Sequence, residues 1–424
     1  MPDTTSHREP ALTVEAWIGW LAALVAVALP LYHPWIGMAA VLMALIWIFG
    51  RGRGGRLHRL RGDRLTMAVV VYFAVNLLSI LWSGDRLNGL QQLGTTWYIL
   101  LVPILGSTLD RAFRRGVLII LVVATAASAC LSILIAVGWL GVFGDRSANP
   151  SPTMHHIDFS LVLALAALLV LVHILYPGMR PRKPVVSVVV WVVIAAALVL
   201  NIGRGGQLAF AAGLTVLAVH WGLGRRPVVA ASAALAAIAL LAAAWFASPT
   251  LRERAATGTQ ELRAAVTQQR YDGSIGGRVA ALRIAGDMVR DRPIFGAGLG
   301  GAMPEFRNRV ADDPELAFAI GWYPHLHNQY AATATETGLL GLLALAWIFL
   351  ELVHSPNQRS AAAAMGWVLA STYLVAFVAE PFFGKPLTLA LFALVAGVIS
   401  STRIEERAVE PSTPDPLPRR PADS

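Results

Sequence analysis

The chain has one cysteine, Cys130, among 424 residues. A single thiol in an apolar run supports neither a disulfide framework nor a cysteine-based metal site within one chain. Charge is scarce too, at 14% of residues, where an average soluble protein carries about 25%. There is no G-x-x-x-x-G-K-[ST] loop, no G-x-G-x-x-G following a strand, and no nucleophile elbow. ATP-driven and serine-hydrolase chemistry therefore have no carrier. The N-terminus lacks a typical signal peptide, because Met1–Thr13 is mixed in charge and no small-residue cleavage site follows the first apolar run. That run reads as a retained helix. No internal repeat is visible. The apolar runs are continuous rather than alternating, which excludes a β-barrel.

What is present is apolar. Hydrophobic residues make up 56% of the chain and mean hydropathy is +0.61. These values define an all-α polytopic membrane protein. Runs long enough to span a bilayer, or nearly so, lie at 14–31, 35–49, 65–82, 94–106, 116–141, 157–175, 185–200, 206–222, 228–247, 328–353, 361–379 and 386–400, about twelve in all. They set an organisation of membrane helices over 1–247, a polar loop domain over 248–327, further membrane helices over 328–403, and a proline-rich tail over 404–424 expected to be disordered.

Net charge is +9, mostly from arginine. In a soluble chain that would point to nucleic acid; here it sets topology, and no nucleic-acid partner is expected. With the N-terminus inside, the dense basic loops all fall on one face: Arg51 to Arg64, Arg111 to Arg115, Arg180 to Lys183, Arg225-Arg226 and the tail from Arg403. This is the positive-inside pattern. These arginines are expected to fix topology and touch headgroups. The opposite face, periplasmic in a bacterial inner membrane, receives His155-His156, Ile202-Gly203-Arg204-Gly205-Gly206, the 248–327 segment and the loop Glu380–Lys385.

Within the long segment, Leu251–Gln269 reads as a surface helix. Gly276-Gly277 reads as a break, and Arg278–Arg290 as an amphipathic helix ended by Asp291-Arg292-Pro293. Gly296, Gly298, Gly300 and Gly301 make a tight or flexible connection before the histidines.

Four groups on this face carry candidate chemistry. Arg204 in its glycine turn has a guanidinium suited to forking onto phosphate. An arginine on a translocated face also works against topology and needs a reason to be there. Arg278, read as opening a helix, combines a guanidinium with helix N-terminal N–H groups as an anion site. His325 and His327 are candidate general bases toward a hydroxyl, and the residues alone do not choose between them. Asn328 orients a histidine or caps the following helix. Two alternate histidines offer at most two metal ligands, and neither HExxH nor a cysteine pattern supplies a third, so no metal is expected. A straight helix from His327 would put it about 16 Å from Gly338 along the axis. That is headgroup level, with Glu336 deeper and facing protein.

His327-Asn328-Gln329-Tyr330 followed by Glu336-Thr337-Gly338-Leu339-Leu340-Gly341 resembles the O-antigen ligase and polymerase superfamily. So do Gly277-Arg278, the run Asp291-Arg292-Pro293-Ile294-Phe295-Gly296-Ala297-Gly298, and Arg204 with its glycines. Ala331 stands where the family usually has leucine, and Gly203 where it has serine. The resemblance implies a GT-C-like fold and glycosyl transfer from an undecaprenyl-pyrophosphate-linked glycan on the periplasmic face. The ligase branch uses lipid A-core as acceptor, the polymerase branch another repeat unit, and a third branch a protein hydroxyl. It also implies metal-independent, inverting chemistry without a cofactor, Arg204 and Arg278 on the pyrophosphate, and His327 or His325 as base. A transporter would instead place its charged residues near the bilayer midplane; here they cluster outside it.

Overall fold

A computed structural model describes residues 13–139, 149–176, 183–223, 249–271 and 273–409, with the single positions 228, 231, 232 and 235. The expected span 228–247, the loop Arg225-Arg226 and the tail beyond 409 lie essentially outside these residues. No strand occurs among the described residues. The helices run α1 Val14–Leu31, α2 Pro34–Phe49, α3 Arg53–Leu60, α4 Arg64–Ser79, α5 Arg86–Thr96, α6 Leu101–Thr108, α7 Arg111–Ala136, α8 His156–Leu175, α9 Pro184–Leu200 and α10 Arg204–Leu223. Then come α11 Pro249–Gln268, α12 Gly273–Asp291, α13 Ala302–Ala311, α14 Pro314–Ile320, α15 Gln329–Val353, α16 Ala361–Ala376 and α17 Pro386–Val409.

Among the described residues, six helices are long and apolar enough to cross a membrane: α1, α4 with its 3₁₀ extension to Trp82, α7, α8, α15 and α17. The bent pair α2–α3, at 104°, makes a seventh if it is one span, and α9 and α16 are shorter apolar helices. This fits a multi-pass membrane protein. The expected span 94–106 is divided between α5, a 3₁₀ turn over Trp97–Leu100, and α6. Pro103 fits the first turn of α6, where its missing N–H costs nothing. α17 is the centre of the bundle, with 89% of its apolar window buried, and packs against α6, α16 and α1.

The basic end of the bundle corrects one expectation. Several of its arginines face protein rather than headgroups. Arg56 is fully buried and donates to the carbonyls of Trp47 and Gly50, each at 2.8 Å. Arg403 donates to Glu351 O at 2.6 Å and Leu352 O at 2.7 Å. Arg114 binds Ser401 O at 3.2 Å and pairs with Glu405. Arg56 and Arg403 thereby satisfy carbonyls that helix ends leave open. The same contacts carry α17 through Val409, past the expected boundary at 403.

The segment between α10 and α15 has its own apolar core, which includes Ala281, Met288, Phe306, Ile320, Tyr323 and Leu326. Gly276-Gly277 does not break the chain; both glycines are buried inside α12. A Cβ at Gly277 would lie 2.3 Å from the Tyr323 hydroxyl, and one at Gly276 2.8 Å from the Tyr271 carbonyl carbon. Glycine here permits close packing rather than a turn. Arg278 accordingly lies within α12, not at a helix N-terminus.

α15 breaks at Gly338, whose φ is +63°. The run Pro293–Gly298 lies in the break. Leu339 N donates to Pro293 O at 2.9 Å, Ala297 N to Thr335 O at 2.7 Å, and Gly298 N to Glu336 O at 2.8 Å. The two glycine motifs supply each other's backbone partners. A Cβ at Gly338 would sit 2.3 Å from Ile294 O. The segment continues onto the end of α4, where Leu299 N donates to Ser79 Oγ at 3.0 Å and Trp82 Nε1 to Phe295 O at 3.1 Å.

Candidate functional site

The chain reaches α15 through His325-Leu326-His327. Leu326 is 2% exposed and belongs to the core beneath α12. The two flanking histidines meet each other instead, with ring centroids 4.3 Å apart. His327 has φ +51°, a conformation rare for a side-chain-bearing residue, and lies outside the helix. Asn328 is the N-cap: its Oδ1 accepts from Ala331 N at 2.9 Å, while its Nδ2 donates to Val378 O at 3.2 Å. The straight helix expected from His327 is therefore interrupted at both ends of its first stretch, at Asn328 and at Gly338.

Both histidines face Glu380, a residue not singled out from sequence. Glu380 is 1% exposed. His327 Nδ1 is 2.7 Å from its Oε1 and His325 Nε2 is 3.6 Å from its Oε2. Lys385 Nζ lies 3.2 Å from Oε2 and 3.0 Å from Asp158 Oδ1 of α8. Burial pushes the Glu380 carboxyl up, but the hydrogen bond with His327 and the charge of Lys385 outweigh it and hold the group at about 2. An ionised carboxylate only accepts, so the proton in the short contact sits on His327 Nδ1. His325 is pushed down to about 4, chiefly by burial and against the attraction of Glu380. It is neutral at pH 7, and its Nδ1 faces the backbone N–H of His327 at 3.3 Å.

The arginines lie around this cluster. Tyr323 stands edge-on to His327 with centroids 4.9 Å apart. Burial raises the Tyr323 hydroxyl's pKa and the nearby charge of Arg278 opposes the rise. Arg204 opens α10 and is exposed. A Cβ at Gly205 would come 3.2 Å from Ala379 Cβ, and one at Gly203 2.5 Å from Ser160 Oγ. The glycine turn thus lets Arg204 begin a helix pressed against the loop that bears Glu380. Neither Arg204 nor Arg278 has an ion-pair partner among the described residues. Glu336 does not join the histidines. Its described contacts are its carbonyl with Gly298 and an electrostatic one with Tyr72 of α4.

The fold also changes the metal argument. His325, His327 and Glu380 each present one donor atom, all within 4.8 Å of one another. The third donor that the sequence seemed to lack is there. Yet Oε1 is engaged by His327 and Oε2 faces an ammonium at 3.2 Å. A cation would have to displace both, so the set suits a hydrogen-bonded base better than a metal. Beside Pro324, a groove of about 350 Å³ opens between α5 and α13, lined by Asp85, Asn88, Gln91, Gln92 and Arg307.

Among the described residues, the class this geometry defines is an all-helical, multi-pass bundle with histidines, a carboxylate and guanidinium groups without ion-pair partners at one end. Residues 188–346 match the O-antigen ligase family. That match covers 188–346 and supports a member of the O-antigen ligase/polymerase superfamily. The matched region holds Arg204, Arg278, both histidines and the break at Gly338. The matched family implies activity of the O-antigen ligase/polymerase type, that of glycosyltransferase-like enzymes with lipid-linked glycans as their general substrates. No curated protein matches the chain.

Proposed function

We propose that the protein moves O-antigen polysaccharide from undecaprenyl pyrophosphate to a hydroxyl of lipid A-core oligosaccharide, at the periplasmic face of a bacterial inner membrane. The observation that carries this reading is His327, held through Nδ1 by a buried carboxylate and flanked by Tyr323, which lies near Arg278, an arginine with no acid partner among the described residues. A base with one free nitrogen next to unneutralised positive charge suits a hydroxyl nucleophile and an anionic leaving group.

In this mechanism the acceptor hydroxyl attacks the anomeric carbon from the face opposite the pyrophosphate. The new C–O bond forms as the bond to the pyrophosphate oxygen breaks, and that electron pair leaves with the pyrophosphate. The hydroxyl proton passes to His327 Nε2. Arg278 and Arg204 stabilise the growing negative charge. No step needs a metal or cofactor. The polar groove beside Pro324 receives the acceptor saccharide, whose hydroxyls match its amides, and the bundle takes a GT-C-like arrangement around the polyprenyl chain.

The test is transfer in a purified system. The protein is incubated with polyprenyl-pyrophosphate-linked glycan and lipid A-core, with a chelator present. Glycan on lipid A-core, lost in His327→Ala, supports the reading. Longer glycan on the polyprenyl carrier would make the protein a polymerase, and glycan on peptide a protein glycosyltransferase. No product with any acceptor would reopen a transporter.

A further inference from the structure

Far from the histidines, a cavity of about 430 Å³ lies between α10 and the start of α16. Thr215, Val216, Val219 and His220 of α10 line it, with Trp367 of α16 and with Gln358 and Arg359 of the loop between α15 and α16. We infer that this cavity holds an acyl chain of an anionic phospholipid, and that the Arg359 guanidinium binds the phosphate of that lipid.

Position comes first. Arg204 opens α10 at the histidine end, and His220 lies in the last turns of the same helix. At 1.5 Å per residue, His220 stands about 24 Å along the axis from Arg204. The hydrocarbon core of a bilayer is about 30 Å thick, so the cavity sits near the headgroup level of the opposite leaflet. A second marker agrees. The loop bearing Arg359 follows the end of α15, whose carbonyls at Glu351 and Leu352 are bound by Arg403. That is the basic end of the bundle. The cavity is therefore separate from the site that would hold a pyrophosphate.

Chemistry comes second. The polar groups around the cavity are already engaged. Thr215 Oγ1 donates to Ala211 O at 2.9 Å, and His220 Nδ1 lies 2.5 Å from the Tyr176 hydroxyl. Trp367 Nε1 donates to Gln358 Oε1 at 3.2 Å, and Gln358 Nε2 donates to the carbonyls of Val353 and Ser355, each at 3.1 Å. A sugar or a nucleotide would leave buried polar groups unpaired here, whereas a hydrocarbon chain would not. The size is that of a ligand pocket, about 300–1,000 Å³. Arg359 is the exception among the lining residues. It is exposed and makes no ion pair among the described residues, while its backbone N–H is held by Asn357 Oδ1 at 3.1 Å. The Trp367–Gln358 bond and the Asn357 contact pin the loop, so the guanidinium is carried on a fixed support. An apolar slot beside one unneutralised cation complements a molecule with an apolar tail and an anionic head. At the boundary of a bilayer, that molecule is an anionic phospholipid. Because the slot is walled by both α10 and α16, its occupant ties the two helices together and stabilises the fold.

The experiment uses full-length protein, delipidated in detergent and titrated with dioleoyl-phosphatidylglycerol or dioleoyl-phosphatidylcholine. Native mass spectrometry gives the lipids retained, and the melting temperature gives their effect on the fold. The parent is expected to retain one phosphatidylglycerol more tightly than any phosphatidylcholine, and to melt a few degrees higher with it. Arg359→Gln lowers the affinity for phosphatidylglycerol about fivefold, the worth of one arginine beside an anionic headgroup, and erases the preference between the two lipids. Val219→Phe fills the slot and abolishes tight retention of both. Arg61→Gln, at an exposed arginine of the same end that does not line the cavity, leaves retention as in the parent. Equal affinity of the parent for the two lipids overturns the inference, as does parental binding by Arg359→Gln. An equal loss in Arg61→Gln overturns it too, because the basic end as a whole would then be the attraction. The same rise in melting temperature with inorganic phosphate alone would show an anion site without a tail, and also overturns it. Should Val219→Phe fail to fold, the lipid preference of Arg359→Gln decides. None of these outcomes depends on glycan transfer.

Discussion

Two segments meet the first half of α15, and they hold it by different means. Pro293–Gly298 holds it through backbone: four residues of α15 exchange hydrogen bonds with main-chain groups, and the side chains mostly stay out of the way. His325–His327 holds it through side chains: Leu326 anchors, and the histidines converge on a carboxylate more than fifty residues further on. The first is a geometric lock that depends on having no Cβ at a few positions. The second is an electrostatic device that depends on which polar atoms are present. A lock of the first kind is legible as a glycine pattern. A device of the second kind is legible only in part, because its partners are distant in sequence.

The comparison breaks most easily at the lock. Gly338→Val introduces a Cβ 2.3 Å from Ile294 O at a φ of +63°, and is expected to cost about 3 kcal/mol or more. Loss of a monodisperse, cooperatively unfolding protein in detergent checks this; a parental melting temperature would show that the two segments do not depend on the break. The device breaks differently. His327→Ala should leave the fold intact and lower transfer by about 10²- to 10⁴-fold, with size-exclusion and melting behaviour unchanged. Arg278→Ala should abolish measurable transfer while the protein remains in the membrane, with a loss of about 10²- to 10³-fold as for a lost anion-stabilising donor. Arg278→Lys should restore part of it; normal transfer by the alanine variant would remove the pyrophosphate clamp from the mechanism.

Smaller effects sharpen the picture. In the groove, Gln92→Ala is expected to raise the acceptor KM a few-fold and leave kcat and the donor KM alone. The smallest effect concerns stability. Because burial holds His325 at about 4, the unfolded chain binds its proton more readily than the folded one between its ordinary value near 6.5 and 4. Stability contributed here is full above that window and declines as pH falls through it. His325→Gln should flatten the fall in melting temperature between pH 7 and 4.5.

Much of the fold was legible because lipid demands long apolar runs and leaves them visible. The run at 94–106 failed as a span because apolarity alone does not show where a helix stops. At the basic end the donors of the arginines matter as much as their sign: Arg56 and Arg403 close helix ends that sequence alone does not pair with them. At the candidate site, Arg278, His325 and His327 stand out in the sequence because a base and a guanidinium on the less basic face need a reason. Arg278 lies inside a helix rather than at its start, because Gly276-Gly277 is not a break: the Tyr271 backbone packs against the first glycine and the Tyr323 ring against the second. Glu380 was missed as a partner. Its one local signal was an acid directly at the end of an apolar helix, and nothing in the 325–328 motif points to it.

The break at Gly338 also sets an order of events. Every main-chain partner it needs lies between Pro293 and Gly298, earlier in the chain than Thr335. Synthesis runs from the N-terminus, so the ribosome has made these partners before the residues that require them. Carbonyls left open in an apolar helix are costly where no water can reach them. Here the complement is already waiting when they emerge, and the late half of the protein is completed against a template that the earlier half has laid down.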